Sequence, residues 1–357
     1  MKIYGFPSHT SKDRMAGVDF VRVIQPIQQL NKVGGVETEV YNPREVDNAL
    51  WSNITKEFDL IYFNYLTMDI GYAAMGMLAR RNNCKLVMDI DDNLWSILPD
   101  NTAYKVLKKG SPGLHIITSI INDVDYVTCT NSYLKNAVVN NSYKRHEFVE
   151  VLPNYIDLDL YKTRPPFKDT HEVVIGHFGS TTHFKSLGGE EFVKAMDRLM
   201  LEYPNIKFIT IGSFFGAYKE KWGKRYEYSF GDMDILKWID KMPKFMENID
   251  ILVAPLDVNV YNRAKSSIKF IENSSFKKPG CWQRIRQYEE IVNNGVNGFL
   301  CETKGDWYNN LKKLIDDKEL RRKMGEEAFN TTQKDWTIQG NIQKYADFFR
   351  KVIDKED

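Results

Sequence analysis

Short runs of β-branched and aromatic residues recur along the first part of the chain: KIYGF at 2–6, FDLIYFNY at 58–65, KLVMDID at 85–91, DYVTCT at 125–130 and FVEVLP at 148–153. Longer stretches with helical spacing separate them. The clearest spans 18–30, with apolar residues at 20, 21, 24, 27 and 30 and Gly34-Gly35 beyond it as a stop signal. Strand-like runs alternating with helical patterns predict βαβ units and therefore a parallel sheet.

The rhythm lapses after Pro153. Residues 154–171 contain the pair Pro165-Pro166 and no sustained periodicity, so they read as a linker. It then restarts with EVVIGHFG at 172–179, IKFITIG at 206–212 and IDILVAPL at 249–256. Two α/β domains are expected, over 1–160 and 161–335, followed by an amphipathic helix within 336–357. Tandem domains of this kind bind ligands at the carboxyl ends of their parallel strands, in the crevice between them. Residues just after strands are therefore the ones to inspect.

Composition narrows the class. The 357 residues are 43% hydrophobic and 27% charged, ordinary for a folded protein of about two domains. With 49 basic and 48 acidic side chains the net charge is +1, which argues against nucleic-acid binding through phosphate neutralisation alone and leaves room for a local basic cleft. Cys84, Cys129, Cys281 and Cys301 form no CxxC pair, so neither a zinc site nor a disulfide framework is signalled. No transmembrane segment or basic-then-apolar leader is expected from the pattern, and a cytoplasmic location is the expectation. Hydrolase, zincin, P-loop and dinucleotide-binding signatures do not occur.

The most informative stretch begins at IDILVAPL, continues through DVNVYNRAKSSIKFIENSSFKKPG and ends in YEEIVNNGVNGFL at 288–300. Read as one helix starting near Lys265, it places Lys265, Lys269 and Glu272 at i, i+4 and i+7 on one stripe, with Ile268 and Ile271 on another face. Such a helix would aim free N–H groups and a positive dipole end at an anion. A solvated charged stripe is the alternative. In GHFGSTTHFKSL (176–187), Gly179, Ser180, Thr181, His183 and Lys185 form a cluster of small donors and cations, equally readable as a glycine turn with a helix cap. At the end of KLVMDIDDNLW, Asp89, Asp91 and Asp92 could hold a metal through oxygen, position or deprotonate a substrate hydroxyl, or cap a turn. Arg22 and His9 follow the first strand and are candidate cleft residues.

The order of these features resembles the nucleotide-sugar domain of retaining glycosyltransferases of the GT-B fold, glycosyl transferases group 1 type. The resemblance is to a branch whose helix carries Asn262, Lys265, Ser266, Lys269 and Glu272, and it extends over the interdomain Pro153-Asn154 with Ile156-Asp157 and over Gly179-Ser180. It implies two Rossmann-like domains facing each other across a cleft, with 336–353 returning to pack on the first domain. It also implies a hexosyltransferase that takes a sugar from a nucleoside diphosphate donor such as a UDP-sugar and passes it with retention to a hydroxyl acceptor. A glycan is the expected acceptor, with a modified DNA base a further candidate. Lys185, Lys265, Asp91 and Asp92 are then the candidate catalytic groups. Gly179, Ser180, Thr181, His183, Asn262, Ser266, Lys269 and Glu272 are candidates for the donor, with Glu272 on the ribose hydroxyls, and Arg22 and His9 for the acceptor. No cofactor or bound metal is expected.

Two departures stand out. The family usually has a glutamate eight positions before Glu272, where this chain has Ala264, and an arginine in the glycine loop that is not evident here. They leave open a non-catalytic nucleotide-sugar or glycan binding protein on the same scaffold, which product formation with UDP or GDP release would distinguish.

Overall fold

The computed structural model describes the chain except residues 12, 42–49, 66–68, 102, 162–169, 180–186, 188, 213, 232–233 and 356–357. Among the described residues, twelve strands form two six-stranded sheets. The first contains β1 (Lys2–Phe6), β2 (Glu37–Val40), β3 (Leu60–Asn64), β4 (Lys85–Ile90), β5 (Tyr126–Cys129) and β6 (Val149–Val151), in the order β2-β1-β3-β4-β5-β6. The second contains β7 (Val173–Phe178), β8 (Ile206–Ile211), β9 (Tyr226–Ser229), β10 (Ile251–Ala254), β11 (Gly280–Gln283) and β12 (Phe299–Cys301), in the order β12-β11-β10-β7-β8-β9. Every pairing is parallel. Each sheet thus reverses its winding next to its first strand, the arrangement that opens a crevice at the carboxyl edge.

The central strands are buried on both faces, which is why they read as continuous apolar runs instead of alternating ones. The pleat still sorts their side chains. Ile61, Phe63, Leu86 and Met88 enter one cluster with Met75, Ile117 and Ile121, whereas Leu60, Tyr62 and Val87 enter another with Val23, Ile27 and Leu30. That second cluster is completed by the terminal helix Ile338–Ile353, whose Tyr345, Phe348 and Phe349 lie against the first sheet, with Phe349 edge-on to Tyr62 at 5.1 Å. Backbone bonds Ile156 N to Trp336 O (3.1 Å) and Ile338 N to Ile156 O (2.9 Å) tie the returning chain to the segment that left the first sheet.

The helical stretch 17–30 crosses close over β1, where a Cβ on Gly5 would stand 3.0 Å from Ile27. Its middle, Phe20–Ile24, is wound as a π-turn that contains Arg22. Three strands lack a clear signal in the sequence: β2 and β9 are short edges with partly exposed faces, and β11 is four residues containing Gly280. The tight turn before β12 uses Gly295 at φ +85°, a conformation that suits glycine, as the Asn-Gly pair predicts.

Candidate active site

The carboxyl ends of both sheets face a cleft of about 240 Å³. Its walls include Gly17, Val18 and Arg22 from the first helix, Asp91 and Asp92 after β4, and Lys265, Lys269 and Glu272 after β10.

On the first-domain side, the parallel register sets Asp89 between Asn64 and Thr128. It is almost fully buried and accepts from Arg22 Nε (3.0 Å), Arg22 Nη2 (2.7 Å), Tyr62 Oη (3.1 Å) and Thr128 Oγ1 (2.5 Å). Arg22 also donates through Nη1 to Leu152 O (2.7 Å) and Asn154 Oδ1 (2.8 Å). Arg22 therefore reaches the cleft wall, but its guanidinium is largely occupied in joining helix, β4 and linker. His9 sits at the mouth of β1, where its backbone N–H donates to Asp19 at 2.8 Å and its Nδ1 lies 3.3 Å from the other oxygen of the buried Asp19. Its ring meets Tyr65 edge-on at 4.7 Å.

Asp91 and Asp92 project beyond this anchored layer. Asp92 accepts from Tyr261 Oη at 2.7 Å and pairs with Lys265 Nζ at 3.1 Å. Asp91 is pushed up to about 7, first by burial and then by the charges of Asp92 and Asp89, with Lys265 and Arg22 opposing. Near neutral pH it is a carboxyl group poised between its two forms.

On the second-domain side, Lys269 donates to the carbonyl of Phe178 at the end of β7, close to Gly179, whose backbone N–H bonds Ile211 O at 3.1 Å. Burial lowers Lys269 to about 8, and Lys265 adds to the effect, while Glu272 pulls the other way. Burial raises Glu272 to about 7 against the opposing influence of Lys269 and of Tyr161, whose hydroxyl lies 3.5 Å away. The two side chains are i, i+3 neighbours on the helix Ile268–Ser274 and face the same cleft.

The single helix expected from Lys265 onward is broken in two. A short helix, Val260–Arg263, is capped by Asn259, whose side chain accepts from Asn262 N at 2.8 Å, and the next begins only at Ile268. Tertiary bonds hold the break open: Asn131 Nδ2 donates to Ala264 O (2.7 Å), Asn154 Nδ2 to Ser266 Oγ (2.8 Å) and Arg286 Nη2 to Lys265 O (3.0 Å). Lys265 and Ser266 thus line the cleft from a connecting segment, and the seven-residue helix supplies much less dipole than one starting at Lys265 would. Ala264, where the family carries its first glutamate, is fully buried against the first-domain core.

Asn262 is not brought to the cleft wall. It is buried, its Nδ2 donates to Asp257 O at 2.9 Å, and its carbonyl accepts from Gln287 Nε2 at 3.1 Å. Ser180, Thr181, His183 and Lys185 lie outside the described residues. Tyr261, Asn154, Gln287 and Tyr288 join the site without having been singled out as site residues from the sequence, since isolated polar and aromatic residues carry no spacing signal.

The family model described as Glycosyl transferases group 1 matches residues 172–317, which contain the whole second sheet and its half of the cleft. The chain has the GT-B fold, and its second domain matches this glycosyltransferase family. Solved structures of similar fold include HepE of Anabaena in complex with UDP and glucose, with TM-score 0.67, 16% identity, and coverage of 98% of this chain and 99% of that one. A glycosyltransferase from Rickettsia africae superposes with TM-score 0.68 at 15% identity over 99% of both chains. Sucrose-phosphate synthase of Thermosynechococcus elongatus does so with TM-score 0.62 at 12% identity, again over 99% of both. No curated protein sequence matches the chain. Among the described residues no helix is long and apolar enough to cross a membrane.

Proposed function

We propose that this protein is a glycosyltransferase that transfers a hexosyl group from a UDP-sugar to a hydroxyl acceptor with retention of configuration. The observation that carries the proposal is the juxtaposition of Lys265, Lys269 and Glu272 from the second domain with Asp91 and Asp92 from the first, in one cleft. A transferase needs cations where the diphosphate leaves and acceptors where the incoming hydroxyl is aligned, and this cleft offers one on each wall. HepE, of similar fold, has been solved with UDP and with UDP-glucose, which supports the choice of donor.

In this mechanism Lys269 and Lys265, with Lys185 from the glycine loop, stabilise the negative charge that grows as the sugar–phosphate bond breaks. The family resemblance assigns Gly179, Ser180, Thr181 and His183 to the diphosphate as well, and Ser266 follows Lys265 in the connecting segment. Glu272 accepts from the ribose hydroxyls. Asp91 and Asp92 align the acceptor hydroxyl above the layer that Arg22 anchors through Asp89, and Asp91 near its midpoint at neutral pH can share that proton. Closure of the two walls excludes water and limits donor hydrolysis. Protein cations neutralise the diphosphate, so no divalent metal or other cofactor takes part, and the acceptor is a glycan hydroxyl.

The test is a panel of UDP- and GDP-sugars scored first by thermal stabilisation, where ligand at 100 times its Kd adds about 2.7 kcal/mol. The stabilising donor is then incubated with oligosaccharide and hydroxymethylated DNA acceptors, with and without EDTA. Glycan product of unchanged anomeric configuration, formed equally in EDTA, is the expected result. An inverted anomer refutes retention, transfer to DNA alone refutes the glycan acceptor, and loss in EDTA restored by a divalent ion refutes the metal-free mechanism.

A further inference from the structure

The cation expected to meet the diphosphate, Lys265, is already paired with a carboxylate of the other domain. Lys265 Nζ lies 3.1 Å from Asp92 Oδ1, and both side chains are mostly shielded, 18% and 28% exposed. Tyr261 completes the arrangement. Its hydroxyl donates to Asp92 Oδ2 at 2.7 Å, its ring lies 4.6 Å from the Lys265 ammonium, and its oxygen accepts from Asn101 Nδ2 at 3.0 Å.

The backbone around Lys265 is fixed on three sides, by Asn131 at Ala264 O, Asn154 at Ser266 Oγ and Arg286 at Lys265 O. The four-carbon side chain is the part free to move. Lys269 differs, because it rests on the neutral carbonyl of Phe178 and has no carboxylate to give up there.

Building on the donor reading, we propose that Asp92 is a placeholder for the donor diphosphate: it holds Lys265 while the site is empty and gives it up when the diphosphate arrives. A diphosphate carries more negative charge than one carboxylate and can meet Lys265 and Lys269 together, so it wins the exchange. Release of Lys265 leaves Asp92 with lone pairs available on the acceptor side. Donor occupancy is thereby coupled to acceptor positioning, which enforces donor-first binding. When the nucleoside diphosphate departs, Asp92 recaptures Lys265. Asp92 thus holds Lys265 in the empty site and meets the acceptor hydroxyl once Lys265 is released.

The coupling gives opposite signs for two measurements on one variant. Asp92→Asn is nearly isosteric and keeps an acceptor for Tyr261, but frees Lys265 from competition. UDP, with GDP in parallel, is titrated calorimetrically into wild type, D92N, K265A and the double variant, with uridine as a control lacking phosphate. D92N is expected to bind UDP about 3- to 10-fold more tightly, with uridine affinity unchanged and turnover reduced. In the K265A background the same substitution should change UDP affinity by less than about 2-fold, because the competition is gone. If D92N is unstable, D92A gives the same comparison.

Equal or weaker UDP binding by a well-folded D92N overturns the placeholder role, as does tightening that persists without Lys265. Failure of wild type to bind either nucleoside diphosphate overturns the donor reading and the placeholder with it.

Discussion

The Arg22 guanidinium closes on both oxygens of Asp89, with Nε at 3.0 Å and Nη2 at 2.7 Å, in a layer where both side chains are about 1% exposed. This pair underlies the first-domain wall of the cleft. Breaking a buried ion pair from one end leaves an uncompensated charge and typically costs about 3 to 5 kcal/mol. Arg22→Met should therefore lower stability by about that amount, measured by urea unfolding. Arg22→Lys should recover only part of it, since an ammonium cannot make the fork-shaped contact. Wild-type stability in R22M, with loss confined to acceptor kinetics, would make Arg22 a substrate contact instead.

Asp91 has the opposite character, because its charge is disfavoured by the fold. A carboxyl group whose pKa rises on folding, here to about 7, stabilises most at low pH and loses that contribution as pH climbs from about 4 through 7. Asp91→Asn keeps the shape without the charge. The melting temperature of D91N should exceed that of wild type at pH 8 and approach it at pH 5, while transferase turnover falls. A variant less stable than wild type at pH 8 would show that the carboxylate is held by favourable contacts.

If Lys269 meets the diphosphate and Glu272 the ribose, as proposed, the two set a pH window for donor binding. The ammonium of Lys269, lowered to about 8, must be charged to meet phosphate, and Glu272, raised to about 7, must be ionised to accept fully from ribose. UDP affinity should peak between about pH 7 and 8 and decline on both sides. Glu272→Ala should cost about 1.5 to 3 kcal/mol of UDP binding and abolish the acid-side decline. Isothermal titration across pH checks both; an unaltered acid limb in E272A would remove Glu272 from the ribose role.

The terminal helix should be indispensable to the first domain. Ile338, Tyr345, Phe348 and Phe349 are buried against β1, β3 and the 17–30 helix, and burial of each large apolar side chain contributes about 1.5 to 3 kcal/mol. A chain ending at residue 335 should melt well below the full-length protein and bind the hydrophobic dye ANS. Retention of full thermal stability would mean the helix contributes nothing to that core.

The two-sheet architecture was legible because buried parallel strands such as KLVMDI leave long apolar runs that helices punctuate. Edge strands β2 and β9 were not, since half-exposed four-residue strands carry little pattern. At the site, Lys269 and Glu272 could be placed on one face from spacing alone. The break at 264–267 could not, because it depends on Asn131 and Asn154, more than a hundred residues away. Asp89 and Asp91, two positions apart on one strand end, looked equivalent in sequence. Their environments separate them, one held by Arg22, Tyr62 and Thr128 and the other facing the cleft.

The most direct test of donor chemistry in this cleft is the rate of UDP release from a UDP-hexose in the presence of an oligosaccharide acceptor, compared among wild type, K269A and E272A. Acceptor-dependent release is expected in wild type, with a loss of at least about tenfold in each variant while both keep the wild-type melting profile. Absence of release from every donor, or release at wild-type rates in well-folded K269A and E272A, would contradict the assignment of these residues to the leaving nucleotide.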